Sequence, residues 1–261
     1  MKKILVLLSI LVLATSCDWF VFDNQEGYNA QIEGRFLDSK TGDLIQFASY
    51  NTNRITVVEE GWDAEAVQEW YVKPNGTYRN KLVFAGKYRL DSKDQCFYDT
   101  AIPFTLEKGA NTVDFTVTPF ARVLNPSITY DAANHKLIAK FTVEVEDPKQ
   151  TSKVNVNFFG FTDRWVSESN DNFKKNQKSS YAEKIKISDG KAEVELTVDT
   201  EVASGNQFLY KRDHYLRIGV LAYGDANSNK RYNYSPVYKA NSDFSKIEEV
   251  TVWDEAEYNN K

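Results

Sequence analysis

From Gln31 onward the chain alternates apolar and polar positions with a period of two. Ile32 and Phe36 alternate with Glu33 and Arg35, then Ile102, Phe104 and Leu106 with Pro103 and Thr105, then Val113, Phe115 and Val117 with Asp114 and Thr116. The same rhythm returns in Leu137, Ala139, Phe141, Val143 and Val145 against Lys140, Thr142 and Glu144, and in Ala192, Val194, Leu196 and Val198 against Glu193, Glu195 and Thr197. Such alternation sends one set of side chains to a core and the other to solvent, so each run predicts a half-buried strand. Turn signals separate the runs: Thr41-Gly42, Pro74-Asn75-Gly76, Gly86, Lys108-Gly109, Asp189-Gly190 and Gly224-Asp225. Only residues 63–70 read as a short helix. The pattern predicts an all-β chain, and about 230 residues of it exceed one sandwich of roughly 100 residues. Two β-sandwiches in series fit, 30–119 and 120–261. The join lies near residues 119–126, where the alternation stops and two prolines frame Phe120-Ala121-Arg122-Val123-Leu124. No internal repeat links the halves.

The N-terminus follows another rule. Lys2 and Lys3 precede an apolar stretch that runs to Leu13, interrupted by Ser9, and Ala14-Thr15-Ser16-Cys17 follows. A membrane-spanning helix needs roughly 20 apolar residues, so residues 1–16 read instead as an export signal. Ala-Thr-Ser-Cys resembles a bacterial lipobox, with Ala14 where leucine is usual. The resemblance implies that Cys17 is lipidated and becomes the new N-terminus; the other reading is a secretory signal ending near an unmodified Cys17. Acyl chains contribute about 0.8 kcal/mol per buried methylene, so such an anchor asks nothing of the folded part. Residues 17–29 form a tether whose Trp19, Phe20, Val21 and Phe22 either pack on the first domain or lie at the membrane interface. Cys96 then has no disulfide partner and reads as a buried structural thiol.

Two stretches of the first half carry a resemblance. Ile32-x-Gly34-x-Phe36-x-Asp38-x-x-Thr41-Gly42-x-x-Ile45 looks like the opening hairpin of the carboxypeptidase-regulatory-like, prealbumin-type sandwich. Trp70 to Asn80, containing Pro74-Asn75-Gly76-Thr77-Tyr78, and Phe84-Ala85-Gly86-Lys87-Tyr88 resemble later strands of the same module. The second sandwich is expected to be Ig- or fibronectin-like. With the lipobox, the stretch Thr-Val-Asp-Phe-Thr-Val-Thr-Pro-Phe at 112–120 and Arg231-Tyr232-Asn233-Tyr234-Ser235, the chain is similar to a Bacteroidetes outer-membrane lipoprotein family of unknown function. That family is encoded beside SusC-like and SusD-like glycan-import pairs. The resemblance implies a cell-surface location, a SusC/SusD-like complex as partner, and capture of carbohydrate, either oligosaccharide or glycopeptide. The alternative is a structural or adhesion subunit that docks on the importer without touching sugar.

Charge and chemistry narrow this picture. The 32 basic and 37 acidic side chains give −5, and loss of residues 1–16 removes two lysines and deepens the excess of acid to seven. That argues against nucleic acid as a partner. His135 and His214 are the only histidines and lie in no metal-ligand spacing, so neither a zinc site nor any other cofactor is expected. No Gly-x-Ser-x-Gly elbow or phosphate-cradling glycine loop occurs. Paired carboxylates for glycoside hydrolysis are defined by separation in space, and 37 acids nominate no pair. The chain therefore reads as non-enzymatic. Asp225-Ala226-Asn227-Ser228-Asn229 has the start of a calcium loop, but Lys230 and Pro236 stand where glycine and glutamate are needed, and a strand-connecting turn is the alternative.

Sugar rings present apolar C–H faces ringed by hydroxyls, so a binding site pairs a flat aromatic with polar side chains. Residues 162–180 supply such a set: Arg164, Trp165, Glu168, Asn170, Asp171, Asn172 and Phe173, then Lys174, Lys175 and Gln177. The competing reading folds Trp165 back onto the core. Trp62, in Glu59-Glu60-Gly61-Trp62-Asp63, is the matching candidate in the first half. Trp70, Tyr71, Phe158 and Phe159 fall within strand patterns and read as packing, while the role of Trp253 is open. Asp99-Thr100-Ala101 resembles the short pattern O-glycosylated in Bacteroidetes envelope proteins.

Overall fold

In the computed structural model of the chain, the residues described are 27–49, 53–173, 178–201, 208, 210–223, 231–251 and 253. Cys17, the tether up to residue 26, Lys174, Lys175, Gln177 and the Asp225–Asn229 run lie outside them. Among the described residues no helix is long and apolar enough to cross a membrane.

The first half is built from β1 (Ala30–Asp38), β2 (Arg54–Glu59), β3 (Ala66–Tyr71), β4 (Thr77–Val83), β5 (Gly86–Ser92), β6 (Thr100–Leu106), β7 (Gly109–Thr112) and β8 (Phe115–Val117). They form two sheets. In one, β1 pairs antiparallel with β4 and parallel with β7 and then β8; in the other the order is β3-β2-β5-β6. Alternate residues of β1 enter the core, where the Phe36 ring meets Phe47, Tyr78, Phe97 and Phe115 at centroid separations of 5.1 to 5.9 Å. The turn before β4 needs glycine: Gly76 has φ 79°, and a Cβ there would lie 2.2 Å from the Ile45 carbonyl oxygen.

The second half adds β9 (Ala121–Asp131), β10 (Lys136–Val145), β11 (Lys153–Phe161), β12 (Tyr181–Lys186), β13 (Lys191–Asp199), β14 (His214–Tyr223), β15 (Asn233–Tyr234), β16 (Tyr238–Ala240) and β17 (Ile247–Glu249). One sheet has the order β13-β10-β9; the other runs β12-β11-β14-β16-β17, with β15 also on β14. Leu137, Phe141, Val143, Phe158, Leu196 and Ile218 fill the core between them. The chain is all-β, with two sandwiches in series, as the alternation predicts.

Two sequence expectations are corrected. Residues 63–70 do not form a helix: β3 takes most of that stretch, pairing in register with β2 from Ala66 opposite Glu59 to Tyr71 opposite Arg54. Burial of Trp70 against Tyr78, Tyr88 and Phe104 decides the matter, since period two is what delivers its indole to the core. Tyr71, read as packing, points the other way and is 63% exposed. The stretch 120–126 does interrupt the alternation, with Ala121 and Arg122 both buried and Val123 and Leu124 both half-buried. It is mostly β9, and Pro126 sits where the β9–β10 register shifts, beside Asn125 at φ 48°. A bulge is one of the few places where a strand accepts proline.

The sandwiches share a buried seam. Arg217 of β14, wholly buried, donates through Nη1 to the Phe47 carbonyl at 2.7 Å, through Nη2 to the Pro74 carbonyl at 3.0 Å and through Nε to the Ser235 carbonyl at 2.9 Å. Its guanidinium also lies 4.3 Å from the Tyr234 ring centroid. Nearby, Arg122 of β9 forks onto Asp38 at the end of β1 and reaches Glu146. Ser49 and Ser167 exchange hydroxyl-to-carbonyl bonds with Val166 and Ser49 respectively, and Ala48, Phe159, Val166, Tyr234 and Val237 pack together.

Candidate functional site

The segment 162–173 leaves β11 and is pinned at both ends. Gly160 accepts from Asn172 N–H at 2.8 Å, and Asp171 Oδ1 accepts from the backbone N–H groups of Gly160 and Phe173. Phe173 then enters the core against Phe158. Glycine at 160 is required by that ring, because a Cβ would stand 2.0 Å from Phe173. At the other end, Val166 and Ser167 are held by the seam, and the Glu168 N–H lies 3.4 Å from the Tyr234 hydroxyl.

Beside this frame lies an indole pair, of which Trp253 packs against the apolar seam cluster. The Trp165 and Trp253 rings meet edge to face at 6.0 Å, and the Arg164 guanidinium lies 5.7 Å from each centroid. All three residues are partly exposed. Trp165 has not folded back into the core, and its position is set from behind: its carbonyl accepts from the Asn170 amide at 3.1 Å, and Trp253 Nε1 donates to the Val250 carbonyl at 3.0 Å. A cation placed over two rings helps to keep both indoles in fixed relation.

The sequence-derived residues thus separate by task. Arg164 and Trp165 come together, joined by Trp253. Asn170 and Asp171 serve the loop backbone behind that surface, and Phe173 is core. Trp62 belongs elsewhere: it lies in the β2–β3 connection of the first sandwich, 55% exposed. Val67 and Tyr71, on the outward side of β3, are also exposed. Trp253 escaped sequence reading because a tryptophan near a chain end, past the last alternating run, gives no sign of which loop it will meet.

The seam opens into a cleft of about 460 Å³ between the sandwiches. Arg35, Asp43 and Gln46 line it from one side, Leu124, Pro236 and Glu249 from the other. Its floor includes Asp38 and Arg122. Burial pushes the Asp38 carboxyl up, but hydrogen bonds from Arg122 and from the Lys40 and Thr41 backbone outweigh it, and the group ends below its ordinary value. Cys96 is buried near the seam, and burial raises its thiol to about 12, so it is inert as a nucleophile. Among the described residues, no three His, Cys, Asp or Glu side chains gather into a group able to hold a metal ion.

Residues 30–118 match the family model described as the N-terminal domain of a protein of unknown function, DUF3823. A crystal structure from Bacteroides uniformis, described as a "putative carbohydrate binding protein", is 29% identical with a TM-score of 0.72, over 82% of this chain and 100% of that one. DUF3823 proteins from Parabacteroides merdae and Bacteroides ovatus share the fold at 18% and 19% identity, with TM-scores of 0.63 and 0.62, each over 82% of this chain and 99% of the other. No protein of curated function matches the chain.

Proposed function

We propose that the chain is a non-catalytic carbohydrate-binding protein, tethered to the outer membrane through a lipid on Cys17, which captures oligosaccharide or glycopeptide for a SusC/SusD-like importer. The observation that carries the carbohydrate reading is the Trp165–Trp253 pair with Arg164 between the rings. Flat, apolar ring surface suits the C–H face of a pyranose, and the adjacent guanidinium can donate to its hydroxyls. The description of the B. uniformis relative supports the same class of ligand. The anchor and the importer rest on the sequence alone, on Ala14 to Cys17 and the lipoprotein resemblance.

Affinity electrophoresis through gels containing plant and host polysaccharides tests the reading. The wild-type protein is expected to be retarded by at least one of them, and Trp165→Ala to lose at least tenfold in affinity with an unchanged circular dichroism spectrum. No retardation by any polysaccharide would sink it.

One observation favours the docking alternative, namely the exposed trio Trp62, Val67 and Tyr71 on the β2–β3 hairpin. Exposed large apolar side chains gathered on one hairpin can mark a contact surface. In that reading Trp62→Ala with Tyr71→Ala abolishes co-purification of importer subunits, and the same variant leaves polysaccharide retardation untouched. Co-purification at wild-type level removes the support.

A further inference from the structure

We infer that the cleft between the two sandwiches is a second subsite for the same glycan chain, taking neutral sugar units beyond those stacked on the indoles. This rests on the carbohydrate reading of the Trp165–Trp253 surface and extends it. The cleft's volume of about 460 Å³ falls within the roughly 300–1,000 Å³ usual for small-ligand sites.

Its lining fits a hydroxyl-rich, uncharged occupant. Asp43 and Glu249 supply carboxylate acceptors, Gln46 supplies an amide, and Leu44, Leu124 and Pro236 supply apolar surface between them. The Arg35 guanidinium is already neutralised by two-pronged contact with Asp114. A polyanion would meet two carboxylates on a chain with an excess of acid, and a purely apolar ligand would strip water from them without replacing its hydrogen bonds. Sugar hydroxyls, which both donate and accept, satisfy each of these groups.

The cleft is also preformed. Arg217 bridges the Phe47 and Pro74 carbonyls of one sandwich to the Ser235 carbonyl of the other, and Arg122 bridges to Asp38, so both walls are held before any ligand arrives. Binding then spends little on ordering the site.

Finally, the chain itself keeps the cleft within reach of the indoles. Glu249 lines the cleft and Trp253 follows four residues later, at most about 14 Å away even at full extension of the chain. Tyr234 borders the cleft while its hydroxyl meets the loop that carries Trp165. A ligand of several sugar units is long enough to span an interval of that size.

The test is calorimetric titration with ladders of gluco-, manno- and xylo-oligosaccharides, from the disaccharide to the octasaccharide. Affinity is expected to rise at least tenfold along the ladder that binds. Gln46→Ala combined with Glu249→Ala, at positions away from both cores, is expected to erase that rise and leave the shortest bound oligosaccharide unaffected. Affinity that does not grow with length, or grows equally in the double variant, overturns the second subsite while the indole site stands. A wild-type protein that binds no ladder and no polysaccharide overturns both.

Discussion

Arg217 shows how far a side chain's surroundings can depart from its sequence neighbourhood. In Leu216-Arg217-Ile218 the alternation sends it to the polar face of β14, which in an isolated sandwich would be solvent. Here the first sandwich covers that face, and burial pushes the guanidinium down to about 9, still charged at neutral pH. Its hydrogen bonds go to carbonyls, and bonds from a charged donor contribute about 1.5–3 kcal/mol each. Arg217→Met is therefore expected to cost about 2–4 kcal/mol in urea unfolding, and Arg217→Lys to recover only part of it, because one ammonium lacks the planar fork. A loss below about 1 kcal/mol would mean that the carbonyls find other donors. Arg164 is the opposite case, partly exposed and in contact with two rings. Arg164→Ala is expected to weaken glycan binding severalfold while leaving the unfolding midpoint nearly unchanged. Sequence reading singled out Arg164 and Trp165 because aromatic and polar residues crowd a long loop. It could not rank Asn170 and Asp171 below them, since a side chain that serves its own backbone has the same composition as one that serves a ligand.

At the level of elements, the strands were legible and their exceptions were not. Period two located β1, β6, β8, β10 and β13 directly, because each has one face in a core. It failed at 63–70, where a short edge strand carries Val67 and Tyr71 outward and so blurs the alternation. Pro126, one of the two prolines that frame the expected join, sits at a bulge of β9. The loop 162–173 depends on a packing detail with a clear consequence. Gly160→Ala would drive a Cβ into the Phe173 ring, so it is expected to cost about 1–3 kcal/mol and also to lower glycan affinity by shifting the loop that carries Trp165. Phe173→Leu in the same background makes room for the methyl, and recovery of binding in that double variant would tie the loop's position to the site. Unaltered binding in Gly160→Ala alone would separate the two.

The whole molecule behaves, on this account, as one unit rather than two beads. The seam contains a buried cation, a buried ion pair and a shared apolar cluster, so unfolding by calorimetry is expected to be a single transition, with Arg122→Ala dividing it in two. Acid is expected to act on the same seam. The Asp38 carboxyl has a lower pKa folded than its ordinary value of 3.8, and Glu144, where burial opposes but Lys40 and Lys191 prevail, lies below 4.5. Protons then bind the unfolded chain more readily, so this stability is complete above those ordinary values and is lost as pH falls through the lower folded ones. The melting temperature should be level from about pH 6 to 8 and fall below about pH 4, and Asp38→Asn should flatten part of the fall. Neither the seam nor the cleft was legible in sequence, because alternation marks a polar face without saying what covers it. The central claim, that sugar stacks on the Trp165–Trp253 pair, is tested most directly by indole N–H resonances of protein carrying ¹⁵N-labelled tryptophan, recorded while a retarding glycan is added. The chain has five tryptophans, each assignable by replacement with phenylalanine. The Trp165 and Trp253 signals are predicted to shift in a saturable way while buried Trp70 and remote Trp62 stay fixed; shifts confined to Trp62, or saturable binding that moves neither Trp165 nor Trp253, would contradict it.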